Sequence, residues 1–391
     1  MTTVQTGLDQ LIACEARPLR GRRCGLLAHP ASVDGRLRHA VPLLHELLGT
    51  DLRALLGPQH GLRGETQDNM IEWQGYRDRE TGLPVFSLYG AHRRPTPRML
   101  EQLDVLVVDL QDVGARYYTF VWTLLLCLEA CAEQGVAVHV LDRPNPIGGA
   151  VEGNVLDPAY ASFVGLAPIP MRHGLTLGEL GRWLVAHRAL DVDYTVTPVA
   201  GWRRGMHFAA TGLPWVLPSP NMPTPQTALV YPGGCLLEGT TLSEGRGTTR
   251  PFEILGAPGI DPAALVAALD AHTLPGCVLR PLHFQPTFHK HAGELCGGLQ
   301  VHVTDPAVFR PVRTYVALLA EVQRRWPEHL AWNPPPYEYE HEKLPIDILA
   351  GGPDLRRAVE RGDDPVALDA AWQVQADAFA AATAELRGAH A

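Results

Sequence analysis

At 391 residues the chain is long enough for two domains, each with its own core. Apolar residues make up 46% and charged residues 19%, which describes a folded globular protein and excludes a disordered one. The net charge of −9 argues against a nucleic-acid partner, which calls for a basic stripe.

No apolar run is long enough to span a bilayer; the most apolar, 121–132, contains Glu129. The first residues lack the charged start and long apolar run of a secretory signal. Seven cysteines, at 14, 24, 127, 131, 235, 277 and 296, are scattered without CxxC pairing. They read as small buried residues of a reducing compartment, and so of a cytoplasmic protein.

In chain order the periodicity predicts alternating helices and strands. Helix 7–16 and strand 23–29 come first, then helix 37–48 and an apolar strand from Leu52 that stops at Gly57-Pro58. Strand 85–89 and a helix opening at Pro97 precede DVLVVDL (104–110), the clearest buried strand of the chain. Helix 117–134, strand 136–141, helix 175–187 and strand 192–198 complete the run. Such alternation predicts an α/β fold, a mostly parallel sheet flanked by helices. After a boundary near Arg250-Pro251 the pattern changes. Helix 261–271, strands 278–287 and 298–303, and helices 309–326 and 364–386 predict a smaller C-terminal α+β domain. The expected division is therefore 1–250 and 251–391.

In such a fold, ligands bind where loops leave the carboxyl ends of strands. The strand ends here carry polar clusters. Gln59, His60, Arg63, Glu65, Asp68 and Asn69 follow Gly57-Pro58, on a loop hinged by Gly61 and Gly64. Asp112, Arg116 and Tyr117 follow DVLVVDL, and Asp142, Arg143 and Asn145 follow VAVHVL. Asn221 sits among prolines, and Glu238, Glu244 and Arg246 lie in CLLEGTTLSEGRGTTRPFE. Asp142-Arg143 could equally be a local ion pair. Five clusters together predict one cleft.

Several site types are absent. GRGTT (245–249) lacks a Walker lysine, and no GxGxxG follows a strand, so no nucleotide cofactor is expected. His60, His92, His173, His289 and His291 show no zinc spacing, so no metal is expected. His289-x-His291 reads as a surface pair on a strand. No GxSxG elbow accompanies Ser219 or Ser243.

GPQHGLRGE, DLQDVGARYYTF, DRPNPIGG, RHGLTLGEL, PSPNMPT, LEGTTLSEGRGTTRPFE and QPTFHKHAGELCGG occur in that order. Together, over nearly the whole chain, they closely resemble the bacterial exo-β-N-acetylmuramidases of NamZ type. The resemblance implies a Rossmann-like catalytic domain, a smaller auxiliary domain, and release of N-acetylmuramic acid from the non-reducing end of peptidoglycan-derived sugars. It also exposes a departure. The family usually has Glu, its expected catalytic acid, where this chain has Gln59, and an amide cannot serve as that acid.

The chemistry of such cleavage calls for two carboxyl groups. Glu65 on the Gln59 loop is the expected substitute acid, with Glu238, Glu244 and Asp68 as alternatives. The substrate's lactyl carboxylate calls for a guanidinium, with Arg116 favoured over Arg63 and Arg246. Three readings stay open. They are a muramyl-sugar hydrolase of cell-wall recycling, a sugar sensor inactivated at Gln59, and a hexosaminidase of altered specificity. The expected partner is a small muramyl sugar or muropeptide; the oligomeric state is left open.

Overall fold

The computed structural model describes residues 4–68, 70–270, 272–388 and 390. Its larger sheet is built from β1 (Cys24–Ala28), β2 (Leu52–Gly57), β3 (Tyr76–Arg77), β4 (Pro84–Ser87), β5 (Val105–Asp109) and β6 (Ala137–Leu141). β7 (Glu152–Val155) and β8 (Pro170–Arg172) form a separate antiparallel ribbon, and β9 (Tyr194–Thr197) completes the larger sheet. The strand order is β3-β4-β2-β1-β5-β6-β9, with every pairing parallel except β3 on β4. The six parallel strands therefore follow the Rossmann order, whose crevice opens where the winding reverses, between β1 and β5.

The burial explains the order. β1, β5 and β6 are buried at every residue, as strands covered by helices on both faces must be. Helix Phe120–Gln134 ends at Gly135 in the left-handed region, where glycine has no steric penalty. Helix Leu177–His187 starts with a reciprocal capping box between Thr176 and Glu179.

The second part carries β10 (Ile254–Ala257), β11 (Cys277–Phe284) and β12 (Cys296–Val303) in the antiparallel order β10-β12-β11. Helix Pro225–Gly234, which the sequence reading misses, packs on helix Pro311–Arg325 and joins the two parts. One main hydrophobic cluster runs from Leu8 to Phe379 through both. All seven cysteines are free, five of them buried. Among the described residues no helix is long and apolar enough to cross a membrane.

Candidate active site

The site begins where β2 stops. Gly57 has no room for a side chain, since a Cβ there would lie 2.6 Å from the Leu62 nitrogen and 2.8 Å from the Trp73 ring. Trp73 donates its indole N–H to the Pro58 carbonyl (3.0 Å), and the Gly61 N–H closes a turn on the same carbonyl (3.0 Å). His60 is thereby held at φ 68°, a conformation that costs a non-glycine residue on the order of 1–3 kcal/mol. The result buries both Gln59 and His60.

These two residues line a narrow inner cavity together with Tyr117, Tyr118, Thr119, Asn221, Tyr231, Glu238, Arg246, Tyr337 and Glu338. Tyr117, Tyr118, Tyr231 and Phe252 meet edge to face, with centroids 4.9–5.9 Å apart, and form its aromatic wall. The Tyr117 hydroxyl donates to the Pro232 carbonyl. A larger, more open cavity of about 470 Å³ adjoins it, sharing Glu238 and Tyr337 and lined also by His289, Lys290, His291 and Asn333.

Gln59 spans the inner cavity. Its Oε1 accepts from the Thr119 hydroxyl (2.6 Å), which fixes the amide so that Nε2 donates to Glu338 Oε1 (3.0 Å). Glu338 Oε2 accepts from the Tyr89 hydroxyl (2.7 Å). Burial pushes the Glu338 carboxyl up to about 7; the Tyr89 and Gln59 donors and the Arg246 charge oppose that rise, and the Glu238 charge adds to it. His60 bonds the Thr66 carbonyl through Nδ1 (3.1 Å), and burial lowers its ring to about 4, so at neutral pH Nε2 carries a lone pair.

Opposite lies a chain of charges. Gly245 and Gly247 flank Arg246 at φ 81° and 82°, and a Cβ on either would strike a carbonyl within 2.4 Å. That tight path buries Arg246, with its guanidinium 5.2 Å from the Phe252 ring. Arg246 donates to Glu238 Oε1 (2.8 Å) and lies 3.3 Å from Glu244. The Tyr337 hydroxyl donates to Glu238 Oε2. Glu244 is fully buried between Arg246, His289 (3.2 Å) and Lys290 (2.8 Å). Burial opposes its charge, but the Lys290, His289 and Arg246 contacts win and hold the carboxyl well below its usual range.

Of the residues anticipated from sequence, Gln59, His60, Tyr117, Asn221, Glu238 and Arg246 line this cavity. Glu244 stands behind Arg246 as its counter-charge. Others go elsewhere. Glu65 is on the surface, where its carboxylate accepts from the Tyr76 hydroxyl (2.6 Å) and the Arg63 N–H (2.8 Å). The loop turns so that Glu65 folds back against Gly61 and is absent from the cavity lining, which argues against it as the acid. Glu65→Gln is accordingly expected to leave turnover of a muramyl disaccharide within about twofold and to cost at most ~1 kcal/mol. A hundredfold loss of turnover would restore Glu65 as the acid.

Arg63 pairs with Asp78 (2.9 Å) and Glu80 (3.4 Å), also outside the cavity. Asp68 is half-buried and not part of the lining, and Asn69 lies outside the described residues. Arg116 is sealed in the interior, donating to the carbonyls of Asn154 (2.7 Å), Ile169 (2.9 Å) and Leu349 (3.1 Å). It cannot reach a sugar.

The remaining candidates organise the sheet edge. Asp112 accepts from the Gly114 N–H (2.6 Å) and His173 (3.2 Å), and Asn145 bonds the Leu175 carbonyl (2.9 Å). Arg143 pairs with Asp109 through both Nε (2.5 Å) and Nη2 (2.9 Å), not with its neighbour Asp142. Asp142 instead accepts from the Thr176 hydroxyl (2.6 Å) and the Gly178 N–H (2.8 Å) at the start of helix Leu177–His187. His289 and His291 sit in a turn rather than on a strand, both at positive φ, and line the outer cavity. Among the described residues no group of three or more His, Cys, Asp or Glu is arranged to hold a metal ion.

Sequence reasoning missed Tyr89, Thr119, Lys290, Tyr337 and Glu338. The signal for the last two was WNPPPYEYE, in which three prolines precede alternating tyrosines and glutamates.

Fold and cavity together define an α/β protein with a buried, carboxyl-bearing, aromatic-walled cavity. Sequence models of the exo-β-N-acetylmuramidase NamZ N-terminal and C-terminal domains match residues 24–226 and 229–387. The chain is 45% identical over 360 residues to the peptidoglycan β-N-acetylmuramidase NamZ of Bacillus subtilis, covering 92% of this chain and 85% of that one. It belongs to the exo-β-N-acetylmuramidase NamZ family. Two crystal structures of DUF1343 family proteins from Bacteroides fragilis share the fold. One has a TM-score of 0.88 at 34% identity, covering 100% of this chain and 99% of that one. The other has a TM-score of 0.74 at 27% identity, covering 98% of each.

Proposed function

We propose that the protein is a glycoside hydrolase that releases N-acetylmuramic acid from the non-reducing end of peptidoglycan-derived sugars. One observation carries the reading: Glu238 and Glu338 share an aromatic-walled cavity in a chain 45% identical to a peptidoglycan β-N-acetylmuramidase. Glycosidic cleavage generally employs two carboxyl groups, and aromatic walls suit a sugar's apolar face. The alternative of a sensor without turnover rested on Gln59 alone, and the cavity retains two glutamates beside that amide. Seven free thiols suit a reducing compartment, so we place the enzyme in the cytoplasm, working on cell-wall fragments during recycling.

Arg246 is the cavity guanidinium that remains for the lactyl carboxylate, since its Nη1 makes no hydrogen bond within the protein. The test sets a nitrophenyl β-N-acetylmuramide beside the matching N-acetylglucosaminide. Release of nitrophenol from the muramide is expected. Saturable binding without release supports a sensor, and faster cleavage of the glucosaminide supports altered specificity. Arg246→Lys should raise KM for the muramide by about 10- to 100-fold, the worth of a charge-assisted hydrogen bond, with little change for the glucosaminide. Equal losses on both sugars would reject Arg246 as the clamp.

A further inference from the structure

Glu338 reaches the cavity at a conformational cost. Tyr337 and Glu340 bond each other in both directions (2.9 Å each), closing a two-residue turn with Glu338 at φ 44° and Tyr339 at φ 67° at its centre. Glycine and asparagine usually fill such positions, because a side chain there is strained. Here the turn carries a glutamate and a tyrosine instead, and both are held. Tyr339 packs edge-on against Tyr89 (5.6 Å) beneath the Arg93 guanidinium (3.7 Å). Glu338 is 3% exposed and points at Gln59 and Tyr89.

Resting on the proposed hydrolase reading, we propose that Glu338 is the general acid of the reaction and that Gln59 is its positioning residue. Gln59 cannot donate a proton at neutral pH, but its amide holds one Glu338 oxygen while Thr119 holds the amide. Tyr89 holds the other oxygen. Both partners are neutral donors. The remaining cavity carboxyl, Glu238, is matched to the Arg246 guanidinium, and Glu244 is surrounded by three basic groups. Glu338 is thus the carboxyl that burial, with Glu238's charge nearby and Arg246's opposing it, keeps protonated up to about pH 7.

In the step itself the Glu338 O–H bond breaks and its proton passes to the glycosidic oxygen. The electron pair of the breaking C1–O bond goes to that same oxygen, so the aglycone leaves as a neutral alcohol. Gln59 and Tyr89 then stabilise the carboxylate left behind. The water that adds its oxygen to C1 releases one proton, which resets the acid, and the sum is hydrolysis of one bond.

Two variants of the full-length protein test this. Glu338→Gln should lower kcat on the natural N-acetylmuramyl-N-acetylglucosamine disaccharide by about 10²- to 10⁴-fold, with KM changed little. On the nitrophenyl muramide, whose leaving group needs little protonation, the loss should be under about tenfold. Gln59→Glu sets a second carboxyl against the first. Two carboxyls so close share one proton, so the basic limb of the pH–rate profile should move up by about one unit or more. A merely structural role for Gln59 leaves that limb in place. Unchanged disaccharide turnover in Glu338→Gln, or an unmoved limb in Gln59→Glu, overturns the assignment while the hydrolase reading stands. A wild-type protein that cleaves neither substrate overturns both.

Discussion

Glu244→Gln is expected to destabilise the fold by about 3–5 kcal/mol at neutral pH and lower Tm by on the order of 10 °C. The reason is what the substitution leaves behind. Lys290 bonds the carbonyls of Leu237 (2.9 Å) and Leu242 (3.1 Å) and needs the Glu244 carboxylate to balance its charge. Arg246 would keep one anionic partner, Glu238, where it now has two.

The pH dependence follows from the sign of the shift. The folded-state carboxyl is held below the usual glutamate value of 4.5, so its contribution is fully present above that value. It is lost as pH falls below 4.5, where the unfolded chain takes up the proton and the folded one resists. The gap in Tm between wild type and variant should therefore be widest near pH 7 and narrow as pH falls from about 5 to 3. Melting curves read by circular dichroism at several pH values check this. A variant that melts with the wild type at pH 7 would show that the cluster contributes nothing to stability.

That cluster also illustrates which parts of the molecule can be read from a sequence. β1, β5 and β6 were legible because strands covered on both faces appear as near-continuous apolar runs, DVLVVDL above all, with His139 the one polar residue inside β6. Helix Pro225–Gly234 was not, because Pro232, Gly233 and Gly234 are poor helix formers that only packing against helix Pro311–Arg325 makes acceptable. The ribbon β7–β8 was hidden for another reason. Glu152 looks like a surface residue in EGNV, yet it is buried near Arg172 (4.0 Å) and Arg310 (3.4 Å).

The site divides along the same line. The loop after β2 announced itself, because glycines next to Gln59 and His60 at the end of an apolar run describe a ligand-facing turn. The residue that Gln59 holds lies 279 positions further on, in a proline-led turn with no periodicity of its own. Proximity in sequence favoured Glu65 instead. Glu65 and Glu338 differ in one physical respect that a sequence does not carry. The first is exposed, and the second is sealed among neutral donors.

Arg116 is the converse case, a residue that resembles a ligand clamp and acts as a peg. Arg116→Met is expected to destabilise the protein by about 3–5 kcal/mol, the scale at which buried charged networks fail. The guanidinium bonds the carbonyls of Asn154, Ile169 and Leu349 and the Asn154 side-chain oxygen (3.3 Å). It thereby ties the β7 strand, the approach to β8, and the end of helix Pro345–Ala350 to the loop after β5. Leu349 lies in the last turn of that helix, where a cation is favoured by the helix dipole. Burial lowers the guanidinium to about 10, so it remains charged at neutral pH with carbonyl dipoles as its solvation. Methionine fills similar space but takes away the donor that Asn154 and Leu349 share, while the Ile169 carbonyl keeps only the Leu156 N–H (3.3 Å). Each buried acceptor left without a donor costs about 1–3 kcal/mol before relaxation. A peg acts on folding, and a clamp acts on selectivity. The fraction of folded Arg116→Met protein should therefore treat muramyl and glucosaminyl substrates in the wild-type ratio, while its Tm falls. A stable variant that loses muramide affinity alone would return the lactyl contact to Arg116 and take it from Arg246.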